Sequence, residues 1–214
     1  MHKRLVLLAL FLLSGFAGVG QGAEFRSDEP ERSRDRIAAF QAVRSYEEAL
    51  QTWKTPEDVH GWIATNFAYD MARAMQLSET RKAEQARPIY TPAEFFQGKT
   101  GMCVDLSRFA VETLRRIDPQ SDPKYLMIVF DPIRIDGNTL RLHWLVSFRR
   151  GGGIRFFADS KRPGHIAGPY RNVSEFVADY QRYRGRKIVD FRELTSYEKQ
   201  KGKKALKRPA MKKP

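Results

Sequence analysis

Cysteine is almost absent from this chain: Cys103 is the only one in 214 residues. A single thiol cannot close an intramolecular disulfide, and it cannot supply the CxxC pair of a thiolate zinc site. Histidine is nearly as scarce. Beyond the first 23 residues only His60, His143 and His165 remain, with no HxxxH pair, so no spacing supports a zinc site built from Cys103, His143 and His165. The stretch DPIRIDGN has too few ligands and no closing Glu for a Ca²⁺ loop, so neither metal nor cofactor is expected. No internal repeat is present, which sets aside solenoids and propellers. Past the N-terminus no long apolar run occurs, so nothing else there reads as a spanning helix.

What is present begins with an address. Met1-His2-Lys3-Arg4 is basic, Leu5 to Leu13 is almost wholly apolar, and small residues from Gly15 to Ala23 lead into the polar EFRSDEPERSRD. That order is the signal-peptide pattern, with cleavage expected between Gly20 and Glu24. Glycines interrupt the run well short of the roughly 20 apolar residues a membrane anchor needs. The sequence therefore predicts an exported protein, periplasmic or secreted: a signal peptide over 1–23, one domain with an N-terminal helical segment over 24–195, and a basic tail over 196–214. The formal charge of +13 invites a nucleic-acid reading until it is located. Lys3 and Arg4 lie in the leader and residues 199–214 hold eight Lys or Arg with no acid, which leaves the body at +3. No nucleic-acid partner is expected from a charge confined to a tail. Such a tail reads as a solvated end or, more sharply, as a tether to an anionic envelope polymer or membrane surface.

Along the body, Ile37, Phe40, Val43, Tyr46 and Leu50 recur at helical spacing within 29–50. Thr55-Pro56-Glu57-Asp58 supplies an N-cap, a proline at the first helical position and acids in the first turn, and the helix it opens carries Val59, Trp62, Ile63 and Phe67, with a continuation towards Leu77. Residues 78–90 are charged and loop-like, and Thr91-Pro92-Ala93-Glu94 opens a short helix ending near Gly98. The next helix starts at Cys103, buries Leu106, Phe109, Ala110, Thr113, Leu114 and Ile117, and ends at Asp118-Pro119. The period then changes to 2, giving strands at 125–130, 140–149, 154–158 and 188–191, with a helix at 173–184 before the last. Helices first and an antiparallel sheet after make an α+β fold, with the Cys103 helix packed on the sheet.

Cys103 follows Gly101 at a helix start, where unpaired N–H groups and the dipole favour a thiolate. A nucleophilic cysteine needs a base, usually histidine, and a group to orient it. In LRLHWLVSF, Leu140, Leu142, Trp144, Val146 and Phe148 share one face and His143 lies on the other. Matching apolar faces with GIRFFADS pairs Phe148 with Ile154, Val146 with Phe156 and Trp144 with Ala158, through a loop of three or five residues containing Gly151 to Gly153. His143 then faces Asp159 across the strands, within reach of a hydrogen bond. Asp131 and Asp136, in the loop before the His143 strand, are rival orienters.

GMCVDLSRFAVETL, then HWLVSF, then FFADS resembles the transglutaminase-like superfamily, relatives of papain-type cysteine proteases, over about residues 90 to 160. The resemblance implies Cys103 as nucleophile, His143 as base and later acid, and Asp159 as orienter, for acyl transfer through a thioester. Asp105 falls on the aspartate of the Gly-x-Cys-x-Asp motif and also suits a helix start. For the oxyanion, the Cys103 backbone N–H is one candidate donor. Gln97 resembles the glutamine of papain-like proteases in type and spacing. Trp144 and Tyr170, the latter in the loop RPGHIAGPY with Lys161, Arg162 and His165 nearby, are candidate substrate contacts. Asn172-Val173-Ser174 fits a glycosylation sequon. The expected function is hydrolysis of amide bonds in a protein or peptide substrate. The alternative is a non-enzymatic envelope binding module on the same fold, docking through its basic tail.

Overall fold

A computed structural model describes residues 40–74, 88–135 and 138–197, with backbone alone for residues 134, 135 and 138–141. The expected leader, most of the 78–90 stretch and the tail beyond residue 197 lie outside the described residues.

The helix starts are where the cap residues put them. The first helix, α1 (Tyr46–Thr52), begins at Ser45, whose side chain accepts from the Glu48 N–H. Residues 40–45 before it are not helical, so the apolar stripe expected from residue 29 is broken in its described part. Phe40 and Val43 still pack on the core, but from an irregular segment that Gln41 anchors by accepting from Trp53 Nε1 at 3.0 Å. The next helix, α2 (Pro56–Asn66), has the full Thr55/Asp58 capping box, and α3 (Pro92–Gly98) has its counterpart in Thr91/Glu94. α2 does not run on towards Leu77. It stops at Asn66, and Ala68–Tyr69 (β1) pairs in parallel with Thr100–Gly101 (β2), placing the chain before Cys103 against the end of α2.

From β2 the chain enters α4 (Cys103–Ile117), which ends at Asp118-Pro119 as expected. The strands follow: β3 (Lys124–Ile135), β4 (Asn138–Arg150), β5 (Gly153–Phe157), β6 (Ala167–Tyr170) and, after α5 (Val173–Arg184), β7 (Ile188–Leu194). They form one sheet of order β6-β5-β4-β3-β7 with every neighbour antiparallel. β6, inside RPGHIAGPY, escaped the sequence reading because Gly and Pro dilute its pattern.

The α+β layout holds, and the sheet is buried on both faces. α1 to α4 cover one face with an aromatic cluster: Trp62 stacks on Phe96 at 4.8 Å, and Phe109 closes on Trp62 at 4.8 Å and Phe95 at 5.1 Å. Val146, Phe148 and Phe157 face this layer. α5 crosses from the β6 edge to the β7 edge and covers the other face, where Leu126, Ile128, Leu145 and Phe156 meet Phe176 and Tyr180.

Two buried faces overturn the expected hairpin register. The observed pairs are Arg149 with Ile154, Phe148 with Arg155, Ser147 with Phe156 and Val146 with Phe157. Gly151 and Gly152, at φ 59° and 77°, form a two-residue turn between Arg150 and Gly153. Face matching assumed that only one side of β5 was apolar. Phe156 and Phe157 are in fact both buried, each in a different layer, so alternation could not select the register.

Candidate active site

Asp105 builds the approach to Cys103. Its buried carboxylate accepts from the Met102 N–H at 3.0 Å, from the Tyr90 N–H at 2.9 Å, and from Arg73 Nε and Nη2 at 2.9 and 3.0 Å. Arg73 is itself buried, lies 3.6 Å over the Tyr90 ring, and donates to the Pro88 carbonyl at 2.6 Å. One carboxylate therefore fixes the first turn of α4, the 88–90 segment and the chain after β1. Gly101 is required by this crowding: a Cβ there would sit 2.9 Å from Phe95 Cε2 and 3.0 Å from Asp105 Cβ.

Cys103, first residue of α4, is only 4% exposed. Its sulfur accepts from the backbone N–H of Trp144 on β4 and feels the charges of Asp105, Lys161 and Asp159. Trp144 can offer that N–H because β5 has left. The β4–β5 ladder ends at Val146–Phe157, and Ala158 then takes a left-handed φ of 56° that turns the chain off the strand.

The same turn delivers Asp159. Had β5 run on in the observed register, Asp159 would have come opposite Trp144, on the face away from His143. After the break at Ala158, Asp159 Oδ1 instead lies 2.9 Å from His143 Nε2, both side chains buried. The expected contact exists, then, although the pairing expected to produce it does not. Asp131, one rival orienter, is exposed, and its backbone pairs with Lys187; Asp136 lies outside the described residues.

The rest of the Asp159 shell comes from its own loop and from α5. Oδ1 also accepts from the Lys161 N–H at 2.9 Å, Oδ2 accepts from the Tyr180 hydroxyl at 2.9 Å, and Arg162 Nε stands 3.6 Å away. Arg184 Nη1 donates in turn to the Tyr180 oxygen at 3.1 Å. The Tyr180 ring stacks beside the imidazole of His143, 6.1 Å between centroids and 11° between planes. Sequence reasoning missed Tyr180 and Arg184, whose i, i+4 spacing on a helix looks like any buried stripe with a charged end.

Electrostatically the site rests uncharged at its centre. Burial pushes the Cys103 thiol up to about 11, and the Trp144 N–H and Lys161 offset only part of that. The thiolate expected from the helix start is therefore not the resting form. Burial likewise drives the His143 pKa down, with the Asp159 bond opposing it and Arg184 and Lys161 adding to it, so the ring is neutral at neutral pH. Burial raises the Asp159 carboxyl, but its contacts with His143, Arg184 and the Lys161 N–H outweigh that and hold it below the usual carboxylate range. With Nε2 on an ionised carboxylate, that nitrogen carries the ring proton and Nδ1 keeps a lone pair.

The other predicted residues divide. Trp144 borders the thiol through its backbone, while its ring packs edge-on to Tyr125 at 6.3 Å. Gln97 is exposed on the last turn of α3, and the structure does not join it to Cys103. Tyr170 is spent elsewhere: its hydroxyl donates to Asp179 Oδ2 at 2.7 Å and its ring packs on Phe156 and Phe176. Asn172 caps α5 by accepting from the Glu175 N–H, so its side chain has a structural use. Among the described residues no cluster of three or more His, Cys, Asp or Glu is arranged to hold a metal, and no helix is long and apolar enough to cross a membrane.

Residues 41–131 match the model of a family described as a transglutaminase-like domain. The family match includes Cys103 but ends before His143 and Asp159, which stand on the geometry above. No curated protein matches the chain. Solved structures of LapG from Legionella pneumophila are similar to it: the calcium-bound form at 17% identity over 56% of this chain and 72% of that one, TM-score 0.28. A second LapG structure gives 14% identity over 68% and 98%, TM-score 0.26, and the EGTA-treated form 17% over 70% and 82%, TM-score 0.28.

Proposed function

We propose that this chain is an exported thiol enzyme of the transglutaminase-like type that hydrolyses amide bonds in a protein or peptide substrate. The observation that carries this reading is the buried His143–Asp159 pair, 2.9 Å apart, on the strand whose next N–H holds the Cys103 sulfur. A neutral thiol, a neutral imidazole and an ionised carboxylate are the resting forms for proton transfer coupled to attack. The Cys103 sulfur bonds to the amide carbonyl carbon as its proton passes to His143 Nδ1, and the carbonyl oxygen takes the electron pair. The Cys103 backbone N–H, first in its helix, is the donor for that oxyanion. Collapse breaks the C–N bond, and His143 gives its proton to the departing amine. Water then attacks the thioester, losing a proton to His143, and the acid leaves as the thiol is restored. Asp159 balances the imidazolium throughout. Water is the acceptor because it is the default one and nothing in the sequence specifies an amine site.

Export is supported by the leader pattern of residues 1–23, and the basic tail is assigned to anionic envelope polymer or membrane surface. The burial of the thiol, 4% exposed, favours the other reading, a binding module with no turnover. Alkylation of Cys103 by iodoacetamide between pH 6 and 9 separates the two. The enzyme reading expects His143→Ala to slow labelling at neutral pH by about tenfold or more. Equal rates in the two proteins would sink the base assignment. In extracts, an activity-based thiol probe should mark the wild type and leave Cys103→Ala unmarked.

A further inference from the structure

We infer that Tyr180 and Arg184 of α5 are positioning residues that set the orientation and proton affinity of the His143–Asp159 pair; this rests on the catalytic reading above. Each carboxylate oxygen of Asp159 has a separate task. Oδ1 meets His143 Nε2 and the Lys161 N–H, both at 2.9 Å, while Oδ2 is held by the Tyr180 hydroxyl at 2.9 Å. A carboxylate gripped on one oxygen alone can rotate about χ2, and the Tyr180 bond removes that freedom. The ring of Tyr180 acts on the imidazole as well, lying nearly parallel to it at 6.1 Å. One side chain thus fixes both partners of the pair.

Arg184 fixes Tyr180. Its guanidinium is buried, donates to the Tyr180 oxygen at 3.1 Å, and lies 5.2 Å from the Phe130 ring centroid. Because the phenol oxygen accepts from Arg184, its own hydrogen is directed at Asp159. The phenol is buried and faces Asp159, which keeps it protonated far beyond neutral pH, so it is always the donor. A buried cation placed three hydrogen bonds from the imidazole also disfavours imidazolium, the direction seen for His143. The charged groups that reach His143 are Asp159 and Lys161 from the loop after β5 and Arg184 from α5; the Cys103 thiol on α4 is neutral, and the Phe130 ring of β3 and the Tyr180 ring carry no charge.

The test is a pH titration of the His143 ring nitrogens by NMR in ¹⁵N-labelled full-length protein. Wild type is expected to show the Nε2–H tautomer and a midpoint below that of an ordinary imidazole. Tyr180→Phe keeps the ring stack but leaves Oδ2 with Arg162 Nε at 3.6 Å as its remaining contact, so Asp159 binds the imidazolium harder and the midpoint rises by about half a pH unit or more. Arg184→Met raises it in the same direction, and Arg184→Lys restores part of the shift. Cys103 alkylation at neutral pH should fall several-fold in Tyr180→Phe. A Tyr180→Phe protein that melts cooperatively yet keeps the wild-type midpoint and tautomer, or shows a lowered midpoint, overturns the assignment. Should Arg184→Met fail to fold, Tyr180→Phe decides alone. If instead wild type and His143→Ala alkylate equally, the catalytic reading fails, while the NMR midpoints still report on positioning.

Discussion

Cys103 is held as a thiol by the surroundings that make it useful. The helix start and the Trp144 N–H favour the anion, but burial costs more than both return, so the proton stays until about pH 11. The unfolded chain has no such burial and loses the proton near the ordinary value of 9.0. The native state therefore binds more protons between these values, and stability falls as pH rises through them. The loss should be roughly 2–3 kcal/mol by pH 11. Urea denaturation at pH 8 and pH 10.5 measures it, and Cys103→Ala should lose less stability than wild type, the remainder coming from buried tyrosines such as Tyr125 and Tyr180 whose pKa values burial also raises; an equal alkaline loss in both proteins would refute the account. The acid side has the opposite slope. His143 has a lowered folded pKa, so as pH falls through the ordinary 6.5 the unfolded chain takes up a proton that the native chain refuses. Asp159, depressed from 3.8, contributes stability above that value and loses it as pH falls further. Both trends destabilise the fold in acid, which leaves an optimum between about pH 7 and pH 9.

Between elements, Asp105 carries the heaviest structural duty, joining α4, the 88–90 segment and Arg73. Asp105→Asn keeps the shape and removes the charge, leaving a buried guanidinium without its counter-ion. The expected cost is about 3–5 kcal/mol by chemical denaturation, with an Asp105→Leu/Arg73→Leu pair costing less than the sum of its parts. The sequence carries local information of this kind well. Thr55 and Thr91 mark helix starts because capping depends on neighbours three residues away. The hairpin register was out of reach for the same reason in reverse. It depends on what covers each face of β5, and α5, which covers one of them, lies further along the chain. The left-handed turn at Ala158 has no signal at all, since an alanine there looks like one more apolar strand residue. The expected contact of Asp159 with His143 nevertheless forms, because Asp159 is the first acid after the return strand whichever register holds.

For the molecule as a whole, the sheet is the wall between two packed layers, and the site lies where that wall ends early at β4. The basic tail is separate in sequence from both layers. Deleting residues 199–214 is expected to leave the melting temperature and Cys103 alkylation unchanged while weakening salt-sensitive retention on an anionic polymer resin; unfolding on deletion would show that the tail belongs to the fold. The path of α5 has a consequence for biosynthesis. Cys103, His143 and Asp159 have all been made when synthesis reaches residue 159, yet Tyr180 and Arg184, which clamp the carboxylate, are still to come. A nascent chain therefore contains Cys103, His143 and Asp159 before the groups that hold the Asp159 carboxylate from α5 exist. On the catalytic reading proposed above, a chain that ends before α5 is expected to hold Cys103, His143 and Asp159 without the Tyr180 bond to Asp159 Oδ2.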